Sequence, residues 1–264
     1  MKVLELLKEY QALNLSQNID YDKFSHYSIT HHSTSLEGST LTEIETNLLL
    51  DEGLTPKGKP LEHSLMTTDH ANSLQFVIEC AKQKKEINIA FIQSINAKTM
   101  SKTGKTYQTV FGELDSTKGD FRKGNVVAGS RYFPNFDKVE GLTTKLSESV
   151  NSKLKNTSET IEQLHLSFDA HFDLVSIHPF YDGNGRTSRL LMNYILCYYN
   201  LPMSIVFKED KSEYIEALEK SRNEESLIPF RNFMTEQYCK FLSQEINNFN
   251  KQSKDKGKGF SFVF

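Results

Sequence analysis

The sequence has little of what marks secreted, membrane or nucleic-acid-binding proteins. Its 264 residues include three cysteines, too few and too scattered for a disulfide framework. No apolar run approaches the roughly 20 residues that cross a bilayer. The 31 basic and 34 acidic residues nearly balance, so there is no general attraction to nucleic acid or anionic lipid. We therefore expect no membrane and no nucleic-acid partner, and any anion site must be local.

The N-terminal segment indicates where the protein is located. Residues 1–15 alternate charge with leucine at helical spacing and lack the continuous apolar stretch of a signal peptide. We therefore expect a cytoplasmic protein. The chain length fits one large or two small domains, and 38% hydrophobic residues are enough for a sizeable core.

The hydrophobic pattern predicts helices. Apolar residues recur mostly at i, i+3, i+4 and i+7. Between residues 107 and 134 four glycines interrupt this period, which predicts a small β-hairpin flap. The fold class is therefore mainly α, a helical bundle with a small β-hairpin flap. The expected helices cover residues 2–12, 40–50, 61–84, 87–101, 137–153, 158–177, 185–199, 211–221 and 229–248.

Local signals set some of these boundaries. Thr40 and Glu43 have capping-box spacing, which predicts the start of the helix at 40–50. Pro179 ends the helix at 158–177, because its ring keeps the preceding residue out of the α region. Residues 260–264 alternate like a strand and are expected to dock on their own domain, with exchange between subunits as the alternative.

The run HPFYDGNGRTSR, residues 178–189, breaks local rules in a way that points to an anion. Residues 183–185 form a glycine turn whose successive amides make an anion-binding nest, and a helix follows at once. Arg186 and Arg189 lie on one face of its first turn, where each cation opposes the helix dipole by about 0.3–1 kcal/mol. A polyphosphate bound by the nest, the helix start and both guanidinium groups would offset this cost.

Two side chains before the turn point to chemistry. Asp182 would repel phosphate unless a hard divalent cation such as Mg²⁺ bridges the two, so the carboxylate predicts a metal. The imidazole of His178, with an ordinary pKa near 6.5, is suited to remove a proton from a hydroxyl that attacks the phosphate. Taken singly, each of these elements is more often structural. Eight specified positions within twelve residues favour the functional interpretation.

The twelve residues resemble, without a mismatch, the signature H-P-F-x-D/E-G-N-G-R-x-x-R of Fic-domain proteins. These are mostly AMP transferases that use ATP to modify hydroxyl side chains of target proteins. The resemblance covers about residues 87–245, and implies a Fic-type helical bundle with an N-terminal helical region at 1–86 and a C-terminal tail at 246–264. It also implies ATP as substrate, Mg²⁺ as cofactor and a target protein with a Ser, Thr or Tyr hydroxyl as partner. A homodimer stays open.

The resemblance also implies residue roles. His178 is the base, Asp182 the Mg²⁺ ligand and Phe180 the buried anchor of the loop. A glycine at position 185, where the phosphotransferase branch of the family has lysine, implies transfer of the nucleotidyl group rather than the γ-phosphate. The flap resembles a hairpin that lines the nucleotide and aligns the target segment by strand-like pairing. The implied nucleotide-binding residues are Gly183, Asn184, Gly185, Arg186, Arg189, Ala128, Gly129, Ser130, Arg131 and Tyr214.

Tyr214 has two interpretations. It resembles the residue that lies against the adenine, and it fits equally well a core position on an amphipathic helix. Arg222 falls where relatives often carry a smaller or amide side chain, so the resemblance does not define the base pocket.

Residues 33–38, STSLEG, are similar to the inhibitory motif S/T-x-x-x-E-G/N that lies N-terminal to the core in one Fic class. A carboxylate can pair bidentately with an arginine, so Glu37 on Arg189 would deprive the γ-phosphate of its partner. We therefore expect an enzyme that Glu37 inhibits. Three alternatives stay open: a surface glutamate without a role, a de-AMPylase in which Glu37 positions water, and a non-catalytic module that senses nucleotide through the same nest.

Overall fold

The structure is a computed structural model that describes residues 2–14, 19–128 and 131–255. The expected mainly α architecture is confirmed, and each predicted helix has an observed counterpart. No helix in the described ranges is long and apolar enough to span a membrane. The helices are α1 (Lys2–Ala12), α2 (Ile19–Leu36), α3 (Glu43–Glu52), α4 (Leu61–Lys82), α5 (Ile89–Thr99), α6 (Val139–Asn156), α7 (Thr160–Ile177), α8 (Asn184–Tyr198), α9 (Lys211–Asn223) and α10 (Ile228–Asp255).

Two antiparallel hairpins lie between α5 and α6. Strand β1 (Thr106–Thr109) pairs with β2 (Gly112–Asp115), and β3 (Val127–Ala128) pairs with β4 (Arg131–Tyr132). We define the flap as residues 124–134. The predicted hairpin is β3–β4, and β1–β2 is a second hairpin that the glycine pattern did not separate from it.

The core lies where α4, α5, α7 and α8 meet. Phe168 and Leu174 of α7 pack with Leu191 of α8, and all three are fully buried. Burial of such apolar side chains contributes about 1.5–3 kcal/mol each. Val77 of α4 is equally buried in the same core. The region before residue 86 therefore contributes to the packed unit that holds the motif.

Helix α2 is absent from the predicted helices because most of its buried positions are polar. Thr30 and His31 are buried, although neither adds to an apolar stripe. The Oγ1 of Thr30 lies 3.2 Å from Nδ1 of His70 in α4, and Nδ1 of His31 lies 3.3 Å from Oγ1 of Thr46 in α3. Hydrogen bonds to neighbouring helices thus satisfy groups that would otherwise be unfavourable inside the protein.

The start of α3 corrects one prediction. The capping box is formed by Thr42 and Glu45, not by Thr40 and Glu43. The Thr42 N–H donates to Oε2 of Glu45 at 2.7 Å, and the Glu45 N–H donates to Oγ1 of Thr42 at 3.2 Å. The prediction chose the earlier of two overlapping Thr-x-x-Glu spacings, which the sequence alone does not distinguish.

The C-terminal end differs from the expected boundary at residue 245. Helix α10 continues without interruption to Asp255, so the first part of the expected tail at 246–264 is helical. The predicted strand at 260–264 lies outside the described residues.

Candidate functional site

The His178 loop, residues 178–183, is held in place by Asn184. His178 ends α7 in the left-handed conformation (φ 54°, ψ 59°), and its N–H donates to the carbonyl of Leu174 at 3.0 Å. The side chain of Asn184 accepts the N–H of Phe180 at 2.9 Å and donates to the Phe180 carbonyl at 2.8 Å. Phe180 is buried, as its expected role as an anchor requires. These contacts fix the conformation of the loop.

The start of α8 presents unpaired amides. Gly183 has φ 78°, which glycine adopts without strain. The first helical bond runs from the Thr187 N–H to the Gly183 carbonyl at 2.8 Å, so the amides of Asn184, Gly185 and Arg186 have no acceptor within the helix. This is the arrangement of an anion site at a helix start. Asn184 can offer only its backbone to a phosphate, because its side chain closes the loop.

Arg186 and Asp182 lie together beside this helix start. The buried guanidinium of Arg186 places Nη2 at 3.4 Å from Oδ1 of Asp182 and Nη1 at 3.5 Å from the Thr99 carbonyl. The described residues contain no group of three His, Cys, Asp or Glu side chains that could hold a metal. A single exposed carboxylate still fits Mg²⁺, which keeps several waters and takes its other ligands from substrate phosphates.

Arg189 is bound by the N-terminal segment. Its Nε donates to Oγ of Ser33 and its Nη2 to the Ser33 carbonyl, both at 2.9 Å, and Nη2 also donates to Oε1 of Glu37 at 2.6 Å. Partial burial raises the pKa of Glu37, but the charge and hydrogen bond of Arg189, with Arg186 and Lys211, outweigh it and lower the pKa overall. The ionised carboxylate of Glu37 thus pairs with Arg189, the cation that was expected to bind an outer phosphate.

Gly185 leaves the space that Glu37 occupies. A Cβ atom at position 185 would lie 2.4 Å from Oε1 of Glu37 and 3.1 Å from Nη1 of Arg189. The carboxylate therefore lies against the first turn of α8, where the unpaired amides begin.

The imidazole of His178 is held neutral. Its ring stacks on Phe133 of the flap, with centroids 3.9 Å apart. Burial, together with the cations Arg131 and Arg122, lowers the pKa of His178 to about 4. The ring is therefore unprotonated at neutral pH, which is the form that can accept a proton.

A cavity of about 390 Å³ brings most of these groups together, and its volume lies in the range of small-molecule sites. Asp182 and Arg186 are not part of its lining. The predicted site residues that line the cavity are Glu37, Arg131, His178, Gly185, Arg189 and Tyr214.

Tyr214 occupies a core position, and its predicted contact with adenine stays a prediction. Its side chain is buried, its hydroxyl lies 2.9 Å from Nε2 of His171, and its ring packs near Phe230. It is thus a core side chain that also lines the cavity. Of the predicted flap residues, Arg131 lines the cavity, whereas the side chain of Ala128, with Gly129 and Ser130, lies outside the described residues.

Sequence reasoning missed Arg122 and Phe133. Arg122 donates to the carbonyl of His178, and Phe133 stacks on its ring. These contacts join segments more than 40 residues apart in the chain, so no local spacing could mark them. The one available signal was that both residues lie in the glycine-rich segment that interrupts the helical period.

The fold and the site define a class of protein, namely a helical bundle with a motif loop between two central helices and a hairpin beside it. A crystal structure of a Fic-domain-containing signalling protein from Bacteroides thetaiotaomicron matches with a TM-score of 0.81 at 23% identity, covering 99% of this chain and 100% of that one. Fic-1 from C. elegans matches with a TM-score of 0.72 at 22% identity, covering 95% of this chain and 71% of that one. These two likenesses establish the fold.

The sequence comparisons identify a domain. Residues 86–196 match the model of the Fic/DOC family, so the chain carries a Fic domain. The chain is 31% identical over 215 residues to a protein adenylyltransferase Fic from Drosophila sechellia, covering 81% of this chain and 41% of that protein. The chain thus spans about two fifths of the length of this curated relative.

Proposed function

We propose that the protein transfers AMP from ATP to a hydroxyl side chain of a target protein, and that Glu37 inhibits the transfer. One observation carries the proposal: a neutral His178 and the cation Arg189 line one cavity at the unpaired start of α8, and Glu37 is bound to Arg189. The name of the Drosophila relative supports the reaction type.

The reaction follows from the placement of these groups. The target hydroxyl oxygen attacks the α-phosphorus of ATP while His178 takes the hydroxyl proton. The bond from that phosphorus to the oxygen bridging it to the β-phosphate breaks, and pyrophosphate leaves. The amides at the start of α8 and the guanidinium of Arg189 bind the phosphate oxygens and stabilise the charge that develops there. Mg²⁺ held by Asp182 would neutralise further phosphate charge.

Inhibition is a competition for Arg189. The γ-phosphate and the Glu37 carboxylate are both anions that pair with the same guanidinium. While Glu37 holds Arg189, the triphosphate lacks its outer partner, and the α-phosphorus is not presented to the incoming hydroxyl. Replacement of Glu37 by glycine removes the competing anion and leaves Arg189 in place.

The test is self-modification with ATP labelled at the α-phosphate in the presence of Mg²⁺. A hydrogen bond to a charged group contributes about 1.5–3 kcal/mol, so Glu37→Gly should raise labelling by about tenfold to a hundredfold. Adding His178→Ala should abolish it. Glu52→Gly, which removes an exposed carboxylate at the end of α3, is the matched control and should label like wild type. Equal labelling of wild type and Glu37→Gly would exclude inhibition by Glu37.

A second candidate function is removal of AMP. It is favoured by the position of the Glu37 carboxylate, which lines the same cavity as His178 and could orient a water there. Release of AMP from a premodified protein, lost in Glu37→Gly, would identify this activity. A non-catalytic nucleotide sensor would instead bind ATP equally well in calorimetry with and without His178 and show no turnover in either form.

A further inference from the structure

Arg122 is buried, and no carboxylate among the described residues pairs with it. With Arg186, it is one of the two largest fully buried side chains in the described part of the chain, and the hydrogen bonds of its guanidinium all go to backbone carbonyls. Burying a cation without a carboxylate partner is costly. An apolar residue of similar size would fill this space at lower cost, so packing alone does not explain the arginine.

The guanidinium joins three separate backbone positions. Its Nε donates to the His178 carbonyl at 2.8 Å, its Nη1 donates to the Gly124 carbonyl at 2.9 Å, and its Nη2 donates to the Pro134 carbonyl. Gly124 and Pro134 are the two ends of the flap. The planar guanidinium spreads its N–H groups over three nitrogen atoms that match these three carbonyls, whereas a lysine ammonium carries its three N–H groups on one atom and a glutamine amide has only two.

Other contacts reinforce the same junction. The Arg122 N–H donates to the carbonyl of Pro179 at 2.9 Å, and Phe121 packs on Phe180 with ring centroids 5.4 Å apart. Phe133, beside Pro134 in the flap, stacks on the His178 ring. The base of the flap and the His178 loop are therefore joined through both backbone and side chains, with Arg122 between them.

We propose that Arg122 is a positioning residue that fixes the flap relative to His178, so that a target segment lying along the flap presents its hydroxyl to the imidazole. This inference rests on the proposed AMP transfer. Arg122 does not line the cavity and makes none of the contacts of Arg189 or of the α8 amides. Its removal should therefore leave the binding of ATP intact.

A comparison of two nucleophiles, water and a protein hydroxyl, distinguishes a positioning role of Arg122 from a general structural role. When water replaces the target hydroxyl, its oxygen attacks the α-phosphorus, His178 takes one water proton, and AMP and pyrophosphate are released. Water is small and does not depend on the flap for alignment, whereas a protein hydroxyl does. Loss of Arg122 should thus reduce transfer more than hydrolysis, while general destabilisation would reduce both in parallel.

The experiment uses Arg122→Gln and Arg122→Lys in the Glu37→Gly background, with ATP labelled at the α-phosphate and Mg²⁺. The ratio of protein-bound label to released AMP should fall by about tenfold in Arg122→Gln. The affinity for a non-hydrolysable ATP analogue should not change, and amide hydrogen exchange in residues 124–134 should become faster. Arg231→Gln is the matched control, because Arg231 pairs with Asp169 at 2.6 Å and has no hydrogen bond or ion pair with the described residues of the flap. It should lower stability without changing the ratio.

An unchanged ratio with unchanged flap exchange in folded variants would overturn the proposal, as would a parallel fall of transfer and hydrolysis. If Arg122→Gln does not fold, the ratio of protein-bound label to released AMP in Arg122→Lys tests the proposal instead. This variant keeps the positive charge but lacks the planar guanidinium. A parent Glu37→Gly protein that transfers no label would overturn the proposed AMP transfer itself. Flap exchange in the variants would still show separately whether Arg122 holds the flap.

Discussion

The properties of single residues at the His178 loop depend on their contacts in three dimensions. The motif predicts which residues bind phosphate, but Asn184 uses its side chain on Phe180 and contributes only its backbone amide. The ordinary chemistry of histidine likewise gives the wrong pKa for His178, because burial and two arginines alter it. Such effects follow from the three-dimensional surroundings and are not visible in a twelve-residue pattern.

The pH dependence of transfer tests the state of His178. Because its pKa is lowered to about 4, the imidazole stays neutral, and active as a base, throughout the pH range above that value. The initial rate of labelling by Glu37→Gly should be nearly constant from pH 8 to pH 6 and be half lost near pH 4, provided that circular dichroism shows folded protein. A midpoint near the ordinary value of about 6.5 would show that the ring is exposed and unperturbed.

The backbone of Gly183 can be tested through stability. An alanine Cβ there would lie 2.8 Å from Nδ2 of Asn96 and 2.9 Å from Sδ of Met100, at φ 78°. Gly183→Ala should lower the free energy of unfolding by about 1–3 kcal/mol in urea titrations. Gly53→Ala is the control, since Gly53 has φ 71° with nothing within 4 Å. An equal loss of unfolding free energy in Gly183→Ala and Gly53→Ala would mean that the structure relieves the crowding at position 183 at no cost.

At the scale of secondary-structure elements, α2 is the one described helix that the sequence did not predict. Apolar periodicity predicts α7 and α8 because the buried faces of these helices are hydrophobic. Helix α2 is instead attached by side chains such as His31 and Ser33, whose partners come from distant parts of the chain. The motif in residues 33–38 pointed to this segment, while its helix and its polar attachment required the structure.

Acid should loosen the attachment of α2. Burial, and after it the charges of Lys208 and His32, lower the pKa of His31 to about 4, and Nζ of Lys208 lies 3.1 Å from Nε2 of His31. Detached or unfolded, His31 has an ordinary pKa near 6.5 and binds more protons between pH 6.5 and pH 4. The attachment is therefore fully stable above pH 6.5 and weakens as the pH falls through this window.

Amide hydrogen exchange at pH 7.5 and pH 5 measures this effect, with α7 in the same sample as the internal reference. Exchange in α2 should rise relative to α7 at the lower pH. Lys208→Met removes one of the charges that lower the pKa of His31 and should reduce the difference between the two pH values. Identical relative exchange at both pH values would show that His31 does not control the attachment.

At the scale of the whole molecule, the predicted division at residue 86 does not separate two cores. Val77 of α4 lies in the same hydrophobic core as Leu191 of α8. We therefore expect one cooperative thermal transition, with the calorimetric enthalpy equal to the van't Hoff enthalpy. Two resolved transitions in scanning calorimetry of the full chain would show that the N-terminal region unfolds independently.

The contact between Glu37 and Arg189 joins residues 152 positions apart, with the carboxylate earlier in the chain. A polypeptide is synthesised from its N-terminus, so the ribosome releases the segment that contains Glu37 well before the His178 loop exists. In the proposed function, the inhibitory carboxylate is therefore already present when the phosphate site forms, and a newly made molecule would pass through no interval in which Arg189 lacks its intramolecular partner.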